Sequence, residues 1–183
     1  MGMRKLFVVG VALITALAAG AMVVRAAGPF KGRATLTGYQ EVPTLSSPAS
    51  GSFDVEISKD GTSLSYTLSY EGIATNVLFA HIHIGRPAIN GGVMVFLCTN
   101  GAPPAGVPVP PPCPQGGGTV SGTLTAADVL AVANQNVAAN DFAAVVAALR
   151  AEAGYANVHS AANPGGQLRG QVLFSRADSI KDN

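Results

Sequence analysis

Ser52-Phe53-Asp54-Val55-Glu56-Ile57-Ser58-Lys59-Asp60-Gly61-Thr62-Ser63-Leu64-Ser65-Tyr66-Thr67-Leu68-Ser69-Tyr70 reads as a β-hairpin. Successive side chains of a strand point to opposite faces, so Phe53, Val55 and Ile57 form one row against Ser52, Asp54, Glu56 and Ser58. Lys59-Asp60-Gly61 turns the chain, and Leu64, Tyr66, Leu68 and Tyr70 resume the apolar row.

Working outward, the spacing predicts a first strand over 30–36, then a loop from Thr37 whose Pro43, with Pro48 beyond, stops any ladder. Downstream, strands are expected over 79–84, 93–98, 119–124, 155–159 and 166–174. Between the third and fourth of these the period changes. Thr125-Ala126-Ala127-Asp128 reads as a capped helix start, and Asn140 or Asp141 opens a second short helix with Phe142, Val145, Val146 and Leu149 on one face. Seven or eight short strands with little helix predict an all-β fold. The expected form is an antiparallel Greek-key β-sandwich or flattened barrel, with a short helical excursion between late strands.

The N-terminus has a different character. Arg4 and Lys5 precede an apolar run to about Ala21, and Val24-Arg25-Ala26 offers small residues of the kind a signal peptidase reads. Residues 1–26 are therefore expected to be a signal peptide, cleaved after Ala26 or alternatively after Ala21. The β-domain would occupy 27–174 and a flexible tail 175–183, and the protein would be secreted or periplasmic. Removing residues 1–26 leaves eight Lys and Arg against ten Asp and Glu. A slightly acidic mature chain speaks against nucleic acid as a partner, and no stable membrane span is expected after cleavage. Cys98 and Cys113 enclose a Pro, Gly and Ala-rich loop, which in an oxidising compartment reads as a disulfide in preference to a thiolate metal pair.

The chain has three histidines, and they fall on predicted strands. In Phe79-Ala80-His81-Ile82-His83-Ile84, Ala80, Ile82 and Ile84 share one face while His81 and His83 stand together on the other. In Tyr155-Ala156-Asn157-Val158-His159, Asn157 and His159 oppose Ala156 and Val158. In Gln167-Leu168-Arg169-Gly170-Gln171-Val172, Arg169 lies between two glutamines on the polar face. Three strands thus offer imidazole, amide and guanidinium on a polar face outside the core.

The ordered motifs Leu36-Thr37-Gly38-Tyr39-Gln40-Glu41-Val42-Pro43, Ala80-His81-Ile82-His83-Ile84-Gly85, Asn90-Gly91-Gly92, Tyr155-Ala156-Asn157-Val158-His159-Ser160 and Gly166-Gln167-Leu168-Arg169-Gly170-Gln171 resemble the CHRD domain family. That module, first named from chordin, is also found in exported bacterial proteins. The resemblance covers roughly residues 30–174 and implies an extracytoplasmic β-domain. In layout the chain is also similar to copper,zinc superoxide dismutases, through a His-x-His strand, a later strand ending in Val-His and a final strand with Leu-Arg-Gly. That likeness implies copper on His81, His83 and His159 with Arg169 beside it; the chain has no further histidine for a fourth copper imidazole, a bridge or a zinc site.

Two accounts of these residues stand. In one, His81, His83 and His159 bind copper or zinc, with water or a carboxylate, Glu41 being the candidate, as fourth ligand, Asn157 orienting a neighbouring imidazole and Arg169 attracting an anionic ligand. In the other, the imidazoles bond to backbone carbonyls, Asn157 or Glu41, and Arg169 pairs with Glu41 or caps loop carbonyls. The favoured reading is a non-enzymatic extracytoplasmic binding or structural module with a histidine site. Its partner would be an extracellular or cell-envelope protein or a metal ion. The alternative is a copper-binding redox protein of the dismutase type.

Overall fold

The computed structural model describes residues 30–102 and 105–174. The expected signal peptide, residues 1–26, and the tail, 175–183, lie outside the described residues. The hairpin forms as read: β2 (Ser50–Ile57) and β3 (Leu64–Glu71) pair antiparallel with Phe53 opposite Leu68 and Val55 opposite Tyr66. Phe53, Ile57, Leu64 and Leu68 are fully buried while Ser52, Ser65 and Thr67 stay exposed, as the alternation requires.

Eight strands run in the order β5 (Val93–Thr99), β4 (Val77–Ile84), β7 (Gly154–Ser160), β8 (Leu168–Gln171), β1 (Phe30–Thr37), β2, β3 and β6 (Gly118–Leu124). A short β9 (Leu173–Phe174) pairs with β1 beside β8. Every pairing is antiparallel. The chain leaves the β4–β5 hairpin, adds β6 beside β3, and returns β7 to the free side of β4, which is a Greek-key excursion. The two ends of the path, β5 and β6, lie against each other without a ladder, so the sheet curls into a nearly closed barrel. Inside it Leu36, Phe53, Leu68, Val77, Ile82, Leu97 and Leu168 are packed with no exposure. The Tyr66 hydroxyl crosses this interior to donate to the carbonyl of Leu97, tying β3 to β5 where the ladder is missing.

The strand expected over 166–174 is divided. Val172 turns its N–H to the carbonyl of Gly154, and β8 passes its pairing with β7 to β9 and β1. The helix predicted from Thr125 stops after one 3-10 turn, Ala126–Asp128. Asp128 accepts from both the N–H and the hydroxyl of Thr125, as a cap should, but Val129 returns to extended backbone. Its burial in the core and the bond from Leu130 N–H to the Met94 carbonyl outweigh the helical preference of the alanines. The second helix forms as α1 (Phe142–Arg150), with Asp141 accepting from Ala144 N–H and with Phe142, Val145, Val146 and Leu149 all buried.

Cys98 and Cys113 are joined, closing a loop of sequence separation 15. The Asn100 side chain clamps the same loop: it donates to the carbonyls of Val77 and Cys113 and accepts from Cys113 N–H. Such a bond fits an oxidising compartment. Among the described residues, no helix is long and apolar enough to cross a membrane.

Candidate metal centre

The site is built on the outer face of β4, β7 and β8, and cross-strand register assembles it. His81 lies opposite Asn157, which lies opposite Arg169; His83 lies opposite Tyr155, which lies opposite Gln171; Phe79 lies opposite His159. On the other side, bulges in the β4–β5 pairing bring Phe96 opposite His81. Ala80, Ile82, Ala156, Val158 and Leu168 take the alternate positions and fill the barrel.

The polar face is outside the barrel but not in water. His81, His83 and His159 are only 4%, 7% and 6% exposed, and Asn157 and Arg169 are buried too. Two loops and an aromatic wall cover them. His83 Nδ1 lies 3.0 Å from the Gly91 carbonyl in the loop after β4, and His159 Nδ1 lies 3.0 Å from the Pro164 carbonyl in the loop after β7. A carbonyl only accepts, so each Nδ1 carries the proton and each Nε2 keeps its lone pair. Phe79 stacks on His81 at 4.8 Å and Phe96 meets the same ring edge-on at 4.1 Å.

The three rings converge, with centroids 5.1 to 6.0 Å apart, and one nitrogen from each lies within 4.8 Å of the other two. Of the six ring nitrogens, two donate to carbonyls; among the described residues, Nε2 of all three rings and Nδ1 of His81 are buried without a partner. Leaving a buried polar atom unbonded costs ~1–3 kcal/mol. One nitrogen from each ring, three in all, is what a transition-metal ion, which takes neutral imidazole through a single lone pair, would satisfy; the second nitrogen of His81 carries that ring's proton.

The remaining residues divide into two groups. Glu41, at the end of the loop turn that follows β1, accepts from the Asn157 amide at 2.7 Å, and that amide also donates to the Leu168 carbonyl. The carboxylate lies against Gly166, where a Cβ would sit 2.6 Å from Glu41 Oε2; a positive φ of 138° there favours glycine as well. Arg169 forms no ion pair with Glu41 within 4.0 Å among the described residues. Its guanidinium donates to the carbonyls of Arg86 and Ile89 and to Asn90 Oδ1, and lies 3.6 Å over the Tyr155 ring.

The sequence model of the CHRD domain matches residues 32–172. The chain belongs to the CHRD domain family. No curated protein and no solved structure matches it.

Within this CHRD domain, burial dominates the electrostatics. It pushes the His81 imidazolium down to about 2, with His159 and His83 adding repulsion. Burial takes His83 down to about 4 against the pull of the Gly91 carbonyl, and lowers His159 against that of Pro164. The three rings are therefore neutral at pH 7. Burial also raises Glu41 to about 7, opposed by the Asn157 amide and the Arg169 charge.

Some of the CHRD domain's site residues escaped the sequence reading. Phe79 and Tyr155 share strand parity with His81, His83 and His159, so the signal that found the histidines also marked them. Phe96 and the carbonyls of Gly91 and Pro164 carried no such signal, because bulged register and loop return are non-local.

Proposed function

We propose that this CHRD domain works outside the cytoplasm as a binding module whose His81, His83 and His159 hold one copper or zinc ion. The observation that carries the reading is the cluster of buried, unpartnered imidazole nitrogens. The two loop carbonyls support it by holding the lone pairs of His83 and His159 on Nε2. An ion bound at ~2.1 Å from each nitrogen needs them ~3.5 Å apart, so the rings would close by about 1 Å on binding. Glu41 is engaged by Asn157 and does not belong to the donor cluster. Export is supported by the apolar N-terminal run, the disulfide and the extracytoplasmic character of the family.

A binding role is favoured over a redox enzyme because turnover needs a coordination position open to substrate, and these rings are buried beneath loops and aromatic residues. The test is calorimetric titration of the mature protein with copper and with zinc, beside the His81→Ala, His83→Ala double variant. One-to-one submicromolar binding that vanishes in the variant is expected. A folded protein that binds neither ion would return the histidines to a structural role.

A further inference from the structure

We propose that Arg169 is the positioning residue of this histidine site: it locks the 86–92 loop so that His83 is held in one tautomer with Nε2 turned to the cluster. The inference rests on the metal-binding reading and deepens it. Arg169 Nη2 donates to the carbonyls of Arg86 at 3.0 Å and Ile89 at 2.8 Å, and Nη1 donates to Asn90 Oδ1 at 3.2 Å. All three acceptors belong to one short loop. The next residue, Gly91, presents the carbonyl to which His83 Nδ1 donates.

The contacts close into a circuit. The guanidinium lies 3.6 Å over the Tyr155 ring, that ring stacks on His83 at 4.7 Å with only 3° between planes, and the Tyr155 hydroxyl accepts from Gly91 N–H at 3.1 Å. Arg169 therefore reaches His83 by two routes, the loop backbone and the tyrosine ring. The fork geometry of guanidinium suits this task, because one side chain can bind several diverging acceptors and still stack on an aromatic face. Gly91 completes the device, since a Cβ at that position would fall 1.6 Å from the Ile84 carbonyl oxygen. His159 takes no part in the circuit; its Nδ1 is held by Pro164 on the other loop, so it serves as an internal control.

The experiment is long-range proton–nitrogen NMR of the imidazoles in the metal-free protein, followed by zinc and copper titration, for wild type, Arg169→Met and Tyr155→Phe. The wild type should show both His83 and His159 protonated on Nδ1. In Arg169→Met, His159 should keep that signature while His83 becomes a mixture of tautomers, and metal affinity should fall about 10–100-fold with all three ligands present. Tyr155→Phe keeps the ring and removes one link, so it should show the same change in smaller degree even if Arg169→Met does not fold. A folded variant of either kind in which His83 keeps its wild-type signature and affinity is unchanged overturns the assignment. A wild type that shows the tautomers but binds neither ion leaves the hold on His83 standing and overturns the metal reading instead.

Discussion

Among the described residues His81 has neither ring nitrogen bonded, and with His83 and His159 it forms a neutral, buried cluster. The metal-free protein should therefore depend on pH in a defined way. An unfolded histidine takes up its proton near 6.5, whereas folded His83 does so only near 4 and His81 near 2. Between those values the unfolded chain binds more protons, so the imidazoles' contribution is present above about pH 6.5 and drains away as pH falls. Glu41 acts in the opposite sense. Its folded value, about 7 against 4.5, gives stability that is present below pH 4.5 and lost as pH rises through 7. Urea unfolding from pH 4 to 8 should show stability rising with pH to about 6.5. Glu41→Gln should steepen that rise and leave the variant more stable than wild type above pH 7 by about 1–3 kcal/mol. Parallel profiles for the two proteins would contradict the burial of the carboxyl.

At the scale of elements, legibility followed locality. The β2–β3 hairpin and the outward parity of His81, His83, Asn157 and His159 depend on near neighbours in sequence, and both stand in the structure. The helix from Thr125 failed because Val129 and Leu130 answer to β5 and the core, which no local pattern reports. The same limit hid the covering of the polar face: strand parity separates the histidines from the barrel interior, but the return of the 86–92 and 161–167 loops, with Phe96 brought in by bulged register, is what buries them. The disulfide loop is a separable element. Cys98→Ser with Cys113→Ser should lower stability by about 3 kcal/mol for a loop of this length. Asn100 will retain part of the loop's closure, so calorimetric melting should show a lower midpoint and still a single cooperative transition.

For the whole molecule, a ligand that binds only the folded state adds stability by mass action, about 2.7 kcal/mol at a free concentration a hundred times its dissociation constant. Three strands and two loops contribute to the site, so that gain should appear as a higher melting temperature for the entire barrel. Adding zinc or copper to the mature protein should raise the midpoint by several degrees, and the His81→Ala, His83→Ala variant should not respond. A stabilisation that persists in the variant would mean the metal acts elsewhere. The pH dependence should not flatten once metal is bound but extend below pH 4, because a metal-held imidazole takes up no proton while the histidines of the unfolded chain still do.

Metal between His81, His83 and His159 would be seen most directly by anomalous diffraction from crystals of the mature protein loaded with copper or zinc, measured at the matching absorption edge. One anomalous peak is expected outside the barrel, bounded by His81 and by Nε2 of His83 and His159 at ~2.1 Å, with the Nδ1 bonds to Gly91 and Pro164 kept. A crystal with no peak between these rings, or with metal only at another position, would contradict it.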